Sequence, residues 1–241
     1  MTTLLAVGAL AMIAVDAVVG VRLLLLARRT RQIPEAALGT AFLLLGAIGY
    51  PLTTLARRGV IASESVNAAL MGSGLLVQDV ACFAVVLATA LTFRGGTRVA
   101  RIVVAVAGVW FAASWLGQLV TSGFGPLEPN LAYSAGLAAR TAAFGWASFE
   151  AFRAYTQGRK RVRLGLAEPL VVNRFLLFGL GMGGVFAAFV IFIVGQLTTA
   201  NPSAAAWVLA ATGVMGIAAA VPTWLAFVPP AAYRRRFAAA G

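Results

Sequence analysis

Runs of about twenty or more apolar residues, separated by short stretches that hold nearly all the charge, leave this chain few folds to adopt. One run, GLLVQDVACFAVV at 74–86, stays apolar for turns on either side of a single carboxylate. A helix rises about 1.5 Å per residue, so ~20 such residues cross the hydrocarbon of a bilayer. Seven segments meet that length, near 3–27, 36–56, 66–92, 101–121, 131–156, 171–198 and 203–228. With 61% of its 241 residues hydrophobic and 11% charged, the chain has too little polar surface to wrap a soluble core. The expected fold is all-α: a polytopic integral membrane protein forming a seven-transmembrane-helix bundle, one transmembrane domain over 1–241. No basic residue precedes the first run and no small-residue cleavage pattern follows it, so it reads as a retained helix.

The arginines set the expected orientation. Arg28, Arg29 and Arg31 follow the first run, Arg94, Arg98 and Arg101 the third, and Arg159, Lys160, Arg161, Arg163 and Arg174 the fifth, with Arg234, Arg235 and Arg236 in the tail. The opposite side holds only Arg57 and Arg58. The positive-inside rule places the N-terminus outside and the C-terminus in the cytoplasm. The net charge of +12 is then a property of cytoplasmic loops facing anionic lipid headgroups, and nucleic acid is not an expected partner. All but one of the 19 basic residues are arginine and alanine is abundant, which points to a GC-rich bacterial genome and a bacterial cytoplasmic (inner) membrane.

EAALGTAFLLLG at 35–46 aligns with EPLVVNRFLLFG at 168–179, matching Glu35, Phe42, Leu43, Leu44 and Gly46 to Glu168, Phe175, Leu176, Leu177 and Gly179. This raises a 3+1+3 parallel repeat, with the fourth helix as linker. In topology such a chain resembles heptahelical receptors and microbial rhodopsins, and the repeat resembles SWEET-type sugar transporters. These likenesses are architectural. The sole lysine, Lys160, is not in the seventh helix, so no retinal is expected. The in-helix prolines Pro51 and Pro222 do not occupy equivalent places in the two halves. No family is assigned.

Ionisable residues in a bilayer cost at least ~2.5–3.5 kcal/mol each at a helix centre, and so mark paired or functional positions. Asp16, Asp79 and Arg140 fall near mid-membrane, with Gln78 beside Asp79. They form the candidate ligand, ion or ionic-lock cluster, and Arg140 is the expected partner of Asp79, since its planar fork suits a carboxylate. A second, cytoplasmic-side group comprises Glu150 and Arg153, three apart on one helix face, with Arg22, Asn173 and Arg174. Gln118, Gln196 and Tyr133 are the candidate rim of an outer pocket. Gly179 and Gly183 form a GxxxG spacing, which serves either packing inside the bundle or dimerisation.

There is no histidine, which removes the commonest ligand of haem and zinc and the usual general base. The one cysteine, Cys82, cannot close an internal disulfide. No phosphate loop, dinucleotide fingerprint or metal-ligand spacing is present. Neither cofactor nor metal nor catalytic residue is expected, and an enzyme is disfavoured. The leading expectation is a receptor- or sensor-like heptahelical protein that binds a small ligand or ion at the charged cluster. The alternatives are a small-solute or ion transporter and a structural or assembly subunit, with a protein partner or a second copy as possible company.

Overall fold

A computed structural model describes residues 2–57, 63–125, 130–199 and 205–238. Arg58, residues 126–129 of the outer connection, residues 203–204 of the expected seventh helix and the side chain of Arg236 lie outside the described residues. The described chain is helical: α1 (Thr2–Thr30), α2 (Ile33–Arg57), α3 (Glu64–Phe93), α4 (Arg98–Ser122), α5 (Leu131–Arg163), α6 (Pro169–Thr198), α7 (Ala206–Phe227) and a short α8 (Ala231–Ala238). Six of these, all but α5 and α8, are long and apolar enough to cross a membrane. The protein is therefore an all-α, polytopic membrane protein. Large apolar side chains that stand outward, such as Leu10, Val109 and Val120, face lipid in such a protein rather than water.

Local chemistry sets the helix ends. Thr97 accepts from the Ala100 amide at 3.2 Å, and the Asn130 side chain accepts from the Tyr133 amide at 2.7 Å, capping α4 and α5. Pro34 and Pro169 stand in the first turns of α2 and α6, where a missing amide hydrogen costs nothing. Gly123 ends α4 in the left-handed region. Two ends differ from the sequence expectation. α5 runs on to Arg163, its last turns lined by the exposed Arg159, Lys160, Arg161 and Arg163. The tail after Pro230, outside the seven expected segments, is helical: the Pro230 carbonyl accepts from the Arg234 amide and α8 begins.

α2 departs most from a plain helix. It is α-helical over Ile33–Phe42, π-helical over Leu43–Gly49, and α-helical again over Tyr50–Arg57. Pro51 is the cause nearest to hand. In an unbroken α-helix its ring would press on the carbonyl four residues back and offer it no hydrogen. The wider π turn accommodates this by shifting the ladder one residue, so that the Tyr50 amide bonds the Leu45 carbonyl. α6, the counterpart of α2 in the expected repeat, is α-helical throughout and has no such segment.

The helices gather into two compact units, Asp16–Ala143 and Met1–Val15 with Phe144–Gly241, and α1 and α5 contribute to both. In the first unit, glycines bring backbones together. A Cβ on Gly49 would lie 2.8 Å from Gln78 Cγ, and one on Gly74 would lie 3.0 Å from the Thr53 amide nitrogen, so α2 and α3 touch almost backbone to backbone. The Trp115 indole donates to the Gly72 carbonyl at 2.9 Å and its ring lies 5.2 Å from that of Phe124, which seats the end of α4 on α3. In the second unit, a Cβ on Gly184 would lie 2.9 Å from that of Ala219, and Gly179 and Gly183 meet Phe152 and Ser148. The GxxxG pair is thus used for α6–α5 packing inside this unit.

These approaches are tight enough to measure. Gly74→Val is expected to cost roughly 1–3 kcal/mol through overpacking against Thr53. Gly108→Ala, which meets only the edge of the Phe83 ring at 3.3 Å, is expected to be neutral or to stabilise by up to about 1 kcal/mol. Reversible unfolding in mixed micelles compares the two.

Candidate functional site

Asp79 stands near the middle of α3 and Arg140 near the first third of α5. Their side chains are 3% and 2% exposed, and Arg140 Nε donates to Asp79 Oδ1 at 2.8 Å. The pairing expected from the sequence is therefore present in the geometry, within the 16–143 unit. Its form is informative. A guanidinium and a carboxylate can meet through two parallel bonds; here one is made. Asp79 Oδ2 and Arg140 Nη2 are both buried and have no hydrogen-bond partner among the described residues. Transfer of two ions from water costs several kcal/mol each, which their attraction offsets only when the remaining lone pairs and hydrogens are also satisfied. This pair leaves one acceptor and one donor idle. Such idle groups are uncommon in native interiors.

Gln78, the neighbour of Asp79, turns the other way. Its amide donates to the Gly49 carbonyl at 3.2 Å and to Thr53 Oγ1 at 2.9 Å, and Thr53 Oγ1 itself donates to Gly49 at 3.1 Å. Gln78 thus holds the end of the π segment and is not a member of the ion pair. Asp16, 2% exposed, forms no ion pair with Arg140 among the described residues; it packs against Gly46 of the π segment. The cluster read from the sequence accordingly resolves into a pair, Asp79 with Arg140, and a separate buried carboxylate.

The other candidates divide between the two units. In the 16–143 unit, the Tyr133 hydroxyl accepts from Arg57 at 2.8 Å, and buried Gln118 donates to the Ser114 carbonyl of its own helix at 3.2 Å. Arg22, in the same unit, is exposed on α1. In the other unit, Glu150 is buried and accepts from the Trp146 indole at 3.3 Å, while Arg153, 45% exposed, approaches it only to 3.9 Å. Asn173 donates to the Tyr233 hydroxyl at 2.5 Å, tying α8 to α6; Arg174 is exposed, and Gln196 is half-buried near the end of α6. Gly49 and Thr53 were not picked out by sequence reasoning, and Gly46 only as a matched position of the repeat. The stretch GAIGYP, two glycines and a proline inside an apolar run, is the signal that could have found them.

No family model, curated protein or solved structure matches this chain.

Removing one member of the buried pair strands the other. Asp79→Ala and Arg140→Ala are each expected to lose about 3–5 kcal/mol of stability, and the double variant less than the sum of the two. A double-mutant cycle by chemical unfolding in micelles checks this; additive losses would mean the two side chains do not interact.

Proposed function

We propose that this protein is a receptor- or sensor-like membrane protein whose ligand site is the Asp79–Arg140 pair. One observation carries the reading: the pair is buried yet joined by a single hydrogen bond, with a carboxylate oxygen and a guanidinium nitrogen left over. A lock that only fixed helix packing would be cheaper with both bonds made or with apolar residues in place of the ions. The two idle groups differ in sign, so the fitting ligand is small and zwitterionic or dipolar, able to donate to Asp79 Oδ2 and accept from Arg140 Nη2.

The same reading includes a topology. α5 is the seventh span. Its composition is less apolar than that of the other six, which suits a helix whose Tyr133, Leu137, Arg140, Phe144, Ala147 and Ala151 are buried by protein and not by lipid. Seven spans in one transmembrane domain put the N-terminus outside. The basic ends of α1 and α5 and the arginines of α8 then lie at the cytoplasmic face of a bacterial inner membrane, against anionic headgroups.

Native mass spectrometry of the purified chain tests the ligand. The expected result is a discrete small adduct on the wild type that Asp79→Asn loses. No adduct on either protein, with a variant that merely melts earlier, would leave the pair as a packing element. Flux of a solute identified in that way into proteoliposomes would move the reading from receptor to transporter. The topology has its own check. In a Cys82→Ala background, a cysteine replacing Lys160 should resist a membrane-impermeant maleimide in right-side-out vesicles and react in inverted ones. The opposite pattern would reverse the orientation.

A further inference from the structure

Asp16 plays no part in that ligand site, and its surroundings are unusual. It is 2% exposed, and its Oδ1 has no hydrogen-bond partner among the described residues. It lies hard against the π segment of α2: a Cβ on Gly46 would collide with the Asp16 carboxylate and its Cβ. Only glycine lets the two helices come this close.

The π segment does something specific to the carbonyl of Gly46. In an α-helix that carbonyl would accept from the amide four residues on, at Tyr50. The Tyr50 amide is given instead to Leu45. In a π-helix it would accept from the amide five residues on. That residue is Pro51, which has no amide hydrogen. Both ladder registers therefore fail at this one position. A carbonyl without a ladder donor and a carboxylate without a partner come from residues in direct contact, in the interior of the same unit. Both groups are acceptors, and burial removes the water that would otherwise solvate them. A positive charge on oxygen resolves this, and carbonyls freed where a membrane helix is broken are well suited to bind such charges.

We propose that the Asp16 carboxylate and the Gly46 carbonyl form a site for one monovalent cation, a proton or Na⁺, which bridges the two oxygens. The neighbouring ionisable groups do not already fill this role. Arg22 on α1 and Tyr50 on α2 are exposed. Asp79 and Arg140 are bonded to each other, and Cys82 is a buried thiol. None of these has an ion pair or hydrogen bond to Asp16 among the described residues. The site is distinct from the Asp79–Arg140 pair and does not depend on that pair having a ligand.

The experiment uses the full chain in micelles. The thermal midpoint is followed by tryptophan fluorescence while NaCl replaces choline chloride at constant ionic strength. In parallel, the infrared difference spectrum between two pH values reads the carbonyl stretch of a protonated carboxyl group. If Na⁺ is the occupant, the wild-type midpoint rises by several degrees with sodium and Asp16→Asn abolishes the rise. If a proton is, sodium has no effect and the carboxylic-acid band present in the wild type is missing in Asp16→Asn. Pro51→Ala does not alter the Asp16 side chain and lets Gly46 regain a ladder donor, residue 51 in the π register or Tyr50 in the α register. It is expected to change the half-saturating sodium or proton concentration about tenfold, the worth of one charge-assisted hydrogen bond. The proposal is overturned by a wild type with neither a sodium response nor an Asp16-dependent band. It is equally overturned, even if Asp16→Asn does not fold, by a Pro51→Ala protein whose response matches the wild type.

Discussion

Inside a bilayer no water is available to complete a backbone hydrogen bond, and this constraint governs the molecule at every scale. It makes each crossing helical. It also makes the few departures from helical regularity costly enough to require a local answer. The π turn over Leu43–Gly49 is the clearest case. Pro51 withdraws one amide hydrogen, the ladder shifts, and side chains join in at the end of the segment: Gln78 of α3 and Thr53 of the same helix both donate to Gly49. Gly46, by contrast, packs against the carboxylate of Asp16. Two positions of one short segment thus differ: Gly49 receives two side-chain donors, and Gly46 packs against a carboxylate.

Helix association follows from the same absence of water. Apolar side chains gain little by meeting each other instead of lipid tails, so close backbone approach and a few polar contacts must hold the helices together. Gly49 and Gly74 between α2 and α3, and Gly181 and Gly184 between α6 and α7, serve the first purpose. The Trp115 indole on Gly72, the Ser148 hydroxyl on Gly179 and the Arg57–Tyr133 bond serve the second. In each unit the contacts combine a missing side chain with a hydrogen bond to main chain or tyrosine.

What the sequence made legible follows this physics. Length and hydropathy located the helices, because those quantities are what a bilayer selects. The Asp79–Arg140 partnership was legible because opposite charges at similar depth have few other ways to be satisfied. Asp16 was placed in the same cluster for the same reason, yet depth does not fix direction. On a helix apolar all round, such as α1, sequence cannot say which neighbour a residue faces. The π segment was hidden more deeply. Pro51 announced an irregularity, but whether a proline yields a kink, a π turn or neither depends on what the neighbouring helices can donate. Pro222 sits within α7 without any comparable segment. The lower apolarity of α5 blurred its status in another way, since burial by protein and burial by lipid leave different compositions.

The extra residue in the π turn also bears on how this chain tolerates changes of length. Removing one residue from an ordinary α-helix turns everything beyond it by about 100°, which would swing Thr53 away from Gln78 or Gly39 away from Gly20. A π turn already contains one residue more than an α-helix needs. A deletion inside 43–49 would remove that extra residue and keep the helical faces on both sides in register, with the gap at Pro51 left in the ladder. Insertions and deletions are usually confined to loops. Here a membrane helix contains a stretch where a single-residue deletion would spare the packing on both sides and act mainly where Gly46 meets Asp16.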